Sequence, residues 1–96
     1  MTKSNTFFGT MEIMSEDPKV ERMTFDEAGR AHKHNIPEYC YVLSGSGLVM
    51  GSDKEYVAKG DFCKVPPGVD HWMVPKEKPF TLLIFYGVLP QDDVEL

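Results

Sequence analysis

Hydrophobic residues along the chain fall in short runs that are separated by glycine and proline. The runs are rich in β-branched and aromatic side chains, which favour strands over helices. The predicted strands are Val20 to Phe25, Tyr39 to Leu43, Gly47 to Met50, Tyr56 to Ala58, Phe62 to Val65, Trp72 to Val74 and Phe80 to Tyr86. The one helical hint is a single turn at Asp26 to Ala28. Many short strands at close spacing predict an all-β sandwich or barrel.

The size of the chain limits what this β-structure can contain. A length of 96 residues is enough for one compact domain, which we expect to cover residues 1–96. Hydrophobic residues make up 42% of the chain and charged residues 26%, which is an ordinary globular composition. We therefore do not expect an enzyme with separate cofactor and substrate domains.

The charge and the cysteine content indicate which partners and which cellular compartment to expect. Ten Lys and Arg against fifteen Asp and Glu give a net charge of −5, so we expect no nucleic-acid partner. No apolar run approaches the roughly 20 residues that span a bilayer, and the first residues lack the apolar core of a signal peptide. Only Cys40 and Cys63 are present, without CxxC spacing. We therefore expect two reduced thiols in a cytoplasmic protein without membrane contact.

All three histidines lie in two short segments, residues 32–38 and 66–71. In an extended chain, His32 and His34 point to the same side and can bind one ion as neutral imidazoles. If the chain stays extended beyond Pro37, Glu38 adds an oxygen ligand on that side. A further histidine from a distant strand would complete a set that suits a divalent transition metal better than calcium or magnesium. The alternative is that these are exposed polar residues and that His71 caps a turn.

The two segments together resemble the two signatures of the cupin superfamily. The first signature, two histidines one residue apart followed by a glutamate and a glycine, is matched by His32, His34, Glu38 and Gly45. The second, a glycine, a Pro-x-Gly and a histidine, is matched by Gly60, Pro66, Gly68 and His71. The signature region covers about residues 26–75. Asp26 replaces a glycine of the pattern and Pro75 replaces an asparagine, but neither change removes a ligand.

The resemblance implies a small jelly-roll β-barrel with a metal in its mouth. The implied ligands are His32, His34, Glu38 and His71. A barrel of eight strands has room for its own side chains and one small ligand, so the expected partner is a small organic molecule. Fe(II) or Mn(II) is the expected ion, with Ni(II) and Zn(II) as alternatives.

Four protein ligands on an octahedral ion leave two positions for substrate, water or dioxygen. The implied function is therefore a metal-dependent enzyme. With dioxygen it would act as a dioxygenase, and without it as an isomerase or a decarboxylase. Glu38 is the candidate catalytic residue, as a proton acceptor. The alternative, from a different functional class, is a cupin that binds or senses a metal or small ligand without turnover.

Strand alternation suggests which neighbours of the ligands face the interior. Counting by twos from Glu38 places Cys40 inside, as a candidate substrate-pocket thiol or as a small buried hydrophobe. Counting from His71 makes Met73 a candidate pocket wall and turns Trp72 away from the metal. The run Phe80 to Tyr86 is apolar on both faces, which a homodimer interface would explain.

Overall fold

The computed structural model describes residues 2–87, and this part of the chain forms β-strands without a helix. No segment of it could cross a membrane as a long apolar helix. The strands are β1 (Thr2–Asn5), β2 (Gly9–Glu16), β3 (Lys19–Phe25), β4 (Glu38–Met50), β5 (Lys54–Ala58), β6 (Phe62–Val65) and β7 (Trp72–Tyr86). The predicted all-β class is confirmed. The expected extent of the domain, residues 1–96, reaches beyond the described residues and stays a prediction.

Two pairs of predicted strands are continuous in the structure. The runs around residues 39–43 and 47–50 join in β4, and those around 72–74 and 80–86 join in β7. These long strands pair with each other along their whole length, with register shifts between Val42 and Gly47. The sequence analysis missed β1 and β2 because most of β2 is half-buried and shows no clean alternation. The predicted helical turn at Asp26 to Ala28 is an irregular bend.

The sheet is antiparallel and follows the order β1-β2-β3-β7-β4-β5, with β6 beside β4. The first half of β4 lies between β6 and the second half of β7, and the second half of β4 lies between β5 and the first half of β7. Each long strand thus takes part in two sheet segments that fold over one another, which is the jelly-roll arrangement. Within residues 2–87 the outer strands do not pair with each other, so the sheet does not close into a ring.

Glycines make the bend of β4 possible. Gly45 has a φ of +73°, and a Cβ there would collide with the carbonyl groups of Glu77 and Pro79. A Cβ on Gly47 would lie 2.5 Å from the ring of Phe80. Only glycine takes this backbone geometry and this close approach without strain. The bend brings the start of β4 over the start of β7.

The apolar run in β7 separates into two faces. Phe80, Leu82 and Ile84 are buried in the core, while Leu83 and Phe85 are half-buried on the outer face. The core cluster contains Phe25, Cys40, Val42, Val49, Val57, Cys63, Val65, Met73, Phe80, Leu82 and Ile84. Burying one Leu, Ile or Phe side chain contributes about 1.5–3 kcal/mol. This core holds the two sheet segments together and so fixes the distance between the histidine segments.

Candidate metal centre

Backbone pairing brings the two histidine segments together. His32 and His71 form an isolated antiparallel bridge, with N–H to carbonyl distances of 3.0 Å and 2.8 Å. His71 directly precedes β7, and Glu38 is the first residue of β4. Because β4 folds over β7, the Glu38 carboxylate reaches the histidines from the opposite sheet segment.

The four predicted ligands converge on one point. Each of His32, His34, Glu38 and His71 offers a ligand atom, and these atoms all lie within 4.8 Å of one another. Glu38 Oε1 is 3.0 Å from His71 Nε2 and 3.3 Å from His34 Nε2. Metal bonds of about 2.0–2.2 Å place neighbouring ligand atoms about 3 Å apart and opposite ones about 4 Å apart. The cluster therefore has the dimensions of a single coordination sphere.

Two of the imidazoles are held in the tautomer that metal binding needs. His32 Nδ1 lies 2.8 Å from the carbonyl oxygen of Arg30, and His71 Nδ1 lies 3.0 Å from that of Val69. A carbonyl oxygen only accepts, so both Nδ1 atoms donate. The Nε2 atoms then face the cluster, where that of His71 lies 3.0 Å from Glu38 Oε1 and where an ion would be bound, as in many metalloproteins.

His34 supplies the test of whether the residues fit a metal. Its Nε2 is buried and has no hydrogen-bond partner among residues 2–87. A buried nitrogen without a partner costs about 1–3 kcal/mol, and an ion bound in the cluster would remove that cost. Three nitrogen donors and one carboxylate oxygen are a set suited to a divalent transition metal.

The charges inside the cluster are strongly coupled. Burial lowers the pKa of His34. Burial opposes the charge on Glu38, but the hydrogen bond and charge of His71 outweigh it and lower the pKa of this carboxyl. Burial also opposes the charge on His71, but the hydrogen bonds to Glu38 and Val69 raise its pKa above the usual value. Without an ion, the His71 imidazole and the Glu38 carboxylate are thus partners in one buried hydrogen bond of 3.0 Å.

This pairing predicts how metal affinity depends on pH. A metal must displace the proton from His71, and because the pKa of His71 is raised, competition by protons begins above the usual imidazole value of about 6.5. We expect the affinity for Mn(II) to fall as the pH is lowered, starting above pH 6.5. Calorimetric titrations at several pH values measure this dependence. A constant affinity between about pH 8 and pH 6 would contradict it.

A cavity of about 160 Å³ opens beside the ligands. His32 and Glu38 form part of its wall. The remaining lining residues, mostly apolar, are Phe7, Phe8, Met23, Phe25, Gly29, Arg30, Trp72, Met73, Ile84 and Tyr86. The cavity is smaller than typical pockets for drug-sized ligands. It could take a small molecule whose polar end lies beside His32 and Glu38.

The structure places the two predicted pocket residues differently. Met73 lies on the cavity wall. Cys40 is interior, as alternation predicts, but it is fully buried and lies outside the cavity lining. Its Sγ donates to Glu38 Oε2 over 3.5 Å, and the adjacent Cys63 thiol, together with burial, raises the pKa of Cys40. Glu38 lies between Cys40 and the cavity. Cys40 therefore contacts the candidate metal ligand Glu38 and does not line the cavity.

Trp72, which was expected to point away from the metal, is half-buried and is one of the residues that line the cavity. Its orientation relative to an ion stays a prediction.

Sequence reasoning missed a polar pair next to the ligands. The Tyr86 hydroxyl donates to Glu21 Oε1 over 2.9 Å, and Glu21 is only 4% exposed. Burial, reinforced by the charges of Glu38 and Glu21, raises the pKa of Tyr86, so its hydroxyl stays protonated. A signal was present, because counting by twos from Phe25 puts Glu21 on the interior face of β3.

Comparison with known proteins points to the same residues. The sequence model of the cupin domain matches residues 20–86, a range that includes all four candidate ligands. The chain belongs to the cupin family. This confirms the resemblance that the two histidine segments suggested.

One curated protein and two solved structures are among those that are similar to this chain. The chain is 32% identical over 92 residues to an acireductone dioxygenase from Hydrogenobaculum sp. (strain Y04AAS1), covering 88% of this chain but only half of the length of that relative. KdgF from Halomonas sp. superposes with a TM-score of 0.72 at 23% identity, over 88% of this chain and 83% of that one. A variant of oxalate decarboxylase from Bacillus subtilis gives 0.80 at 18% identity, over 90% and 27%. At these identities the two structures confirm the jelly-roll cupin fold alone.

Proposed function

We propose that this cupin binds one divalent transition metal ion and uses it as a dioxygenase of a small organic molecule. The ligands are His32, His34, Glu38 and His71, and the preferred ion is Fe(II) or Mn(II), with Ni(II) and Zn(II) as alternatives. The supporting observation is the convergence of four ligand atoms within 4.8 Å at the wall of an apolar cavity. The similarity to a protein named acireductone dioxygenase favours oxygen chemistry over isomerisation or decarboxylation.

In this proposal the three histidines bind the ion, and Glu38 both binds it and accepts a proton. A bound ion would activate dioxygen and polarise substrate oxygen atoms. The three imidazoles hold the ion, and the Arg30 and Val69 carbonyls fix two of them. The apolar cavity wall excludes water and receives the apolar part of the substrate. Glu38 is the one carboxylate of the described cavity wall, and we assign it the acceptance of the substrate proton.

Oxygen uptake separates this proposal from a binding or sensing module. Protein loaded with Fe(II) or Mn(II) is mixed with small enediols, 2-oxo acids and catechols in an oxygen electrode. We expect uptake with one of these substrate classes and none with the His34→Ala protein. Tight binding of metal and small molecules without oxygen uptake or product would favour the sensing module.

We further propose that the protein is a homodimer, formed through the outer face of the first half of β4. Tyr41 and Phe62 are directly paired on this face and are 37% and 44% exposed. The rings of Tyr39 and Phe62 stack at 6.2 Å, and Leu83 and Phe85 of β7 extend the same apolar face. The partner proposed here is a second copy of the chain, because two-fold dimers are the commonest oligomers and bring the same face of both subunits together.

Charges at the margins of this face are compatible with a two-fold arrangement. Lys64 lies at one margin, over the ring of Tyr39. Glu12 and Arg22 form an ion pair at the opposite margin and neutralise each other. A two-fold axis parallel to the strands sets the Lys64 margin of one copy beside this neutral pair of the other, so the apolar row, and not the rim, carries the proposed association.

Light scattering tests the dimer with a matched pair of variants. We expect the wild type to have twice the mass of one 10.9 kDa chain at micromolar concentration. Phe62→Glu should reduce this to the mass of one chain, because it buries an unpaired charge in the interface. Tyr56→Glu is the control, since Tyr56 is 59% exposed and lies on β5. A monomeric wild type, or a dimer that survives Phe62→Glu, would contradict the proposal.

The compartment and the absence of nucleic-acid partners remain predictions. The two thiols, Cys40 and Cys63, are both free and buried, which is compatible with a reducing environment. We propose on this ground that the protein works in the cytoplasm.

A further inference from the structure

His34 is held differently from the other two histidines of the cluster. The Nδ1 atoms of His32 and His71 each donate to a backbone carbonyl. In the described part of the chain, no hydrogen bond to either nitrogen of His34 is formed. Its imidazole instead meets the ring of Tyr86 edge to face, with the centroids 5.2 Å apart and the planes at 79°.

Tyr86 is itself fixed by a buried carboxylate. Its hydroxyl donates to Glu21 Oε1 over 2.9 Å. The Lys19 ammonium lies 3.7 Å from Glu21 Oε2 and 4.9 Å from the centroid of the Tyr86 ring. A carboxylate that is only 4% exposed is costly to bury without partners. The three side chains therefore form one unit, which leaves the Tyr86 ring little freedom to turn away from His34.

We propose that Tyr86 and Glu21 are positioning residues that hold the His34 imidazole ready for the metal. In metal sites a hydrogen-bonded group on the far nitrogen of each histidine usually does this, and its loss costs about 10–100-fold in metal affinity. At His34 the positioning group is the ring of Tyr86, which is itself held by the carboxylate of Glu21. The inference rests on the proposed metal site but concerns residues that do not touch the ion.

The first test measures metal binding in variants that keep their volume. Tyr86→Phe removes only the hydroxyl, so the ring stays but loses its anchor. We expect the Kd for Co(II) to rise about tenfold and the visible spectrum of the bound Co(II) to change. Tyr56→Phe, at a 59% exposed position on β5, is the control and should match the wild type in both. Thermal unfolding of the metal-free proteins shows whether the fold is intact.

Variants of Glu21 separate anchoring from a general loss of structure. Glu21→Gln keeps an oxygen that accepts from Tyr86 and should bind Co(II) nearly as the wild type does. Glu21→Leu has no acceptor and should resemble Tyr86→Phe. The double variant Glu21→Leu with Tyr86→Phe should add little further loss, since both changes break the same contact. Additive losses would overturn the proposal, as would wild-type affinity and spectrum in Tyr86→Phe.

A second measurement does not depend on the metal. In the metal-free wild type, nuclear Overhauser contacts should join the carbon-bound ring protons of His34 to those of Tyr86. These contacts should weaken in Glu21→Leu but not in Glu21→Gln. If the wild type bound no metal while the contacts behaved in this way, the proposed function would fail and the positioning would stand. Contacts that are absent in the wild type, or unaffected by Glu21→Leu, overturn the positioning itself.

Discussion

His34→Ala protein purified without chelator is expected to contain less than about a tenth of the metal bound by the wild type, which should carry close to one ion per chain. The reason is the geometry of the cluster, in which His34 Nε2 lies 3.3 Å from Glu38 Oε1 and has no other partner among residues 2–87. Loss of a supporting hydrogen bond already costs about 10–100-fold in affinity, and loss of a ligand should cost at least as much. Metal analysis by mass spectrometry measures the content.

The control for this variant is Lys33→Ala. Lys33 is exposed and lies between the two histidines of the same segment, so its replacement tests the segment without removing a ligand. It should keep the metal content of the wild type. Equal metal content in His34→Ala and wild type would refute the assignment of His34 as a ligand.

The same variant separates metal binding from folding. His34→Ala removes a buried nitrogen that has no hydrogen bond in the described protein but also the ring contact with Tyr86. These two effects oppose each other, so the metal-free variant should unfold at about the wild-type temperature. The metal-loaded wild type should be more stable than the metal-free wild type and the metal-free variant, because a ligand that binds only the folded state stabilises that state. The variant should gain nothing from added metal.

Two of the four candidate ligands could be placed together from the sequence because their spacing is local. His32 and His34 are two residues apart in an extended segment, so they share a side whatever the rest of the fold does. The interior position of Met73 followed from the same rule. The placement of His71 came from the family pattern and not from spacing, since no local rule brings residue 71 beside residue 32.

The polar pair behind the site shows what local rules leave out. Glu21 and Tyr86 are 65 positions apart, and their contact depends on the register between β3 and β7. That register is set by packing across the whole sheet, which alternation within one strand does not contain. The bend of β4 is similar, because Gly45 marks a turn in the sequence but its place within a continuous strand depends on contacts with β7.

Replacement of Glu38 is expected to lower both metal affinity and turnover, because this residue combines two roles. Its carboxylate is the only anionic donor of the cluster, and it also lines the cavity. Glu38→Gln keeps the shape but removes the charge that balances the ion. Glu38 is only 1% exposed, and an uncompensated buried charge costs about 3–5 kcal/mol. The metal affinity should therefore fall by at least about 100-fold.

Turnover at full metal occupancy then separates the two roles of Glu38. If Glu38 accepts the substrate proton, Glu38→Gln saturated with metal should stay at least about 100-fold less active than the wild type, as for a lost general base. This is the result that we expect, since the described cavity wall contains no other carboxylate to replace it. Glu55→Gln, an exposed change on β5, is the control and should leave both properties unchanged. Full recovery of turnover with excess metal would limit Glu38 to the ligand role, and unchanged metal affinity would remove it from the site.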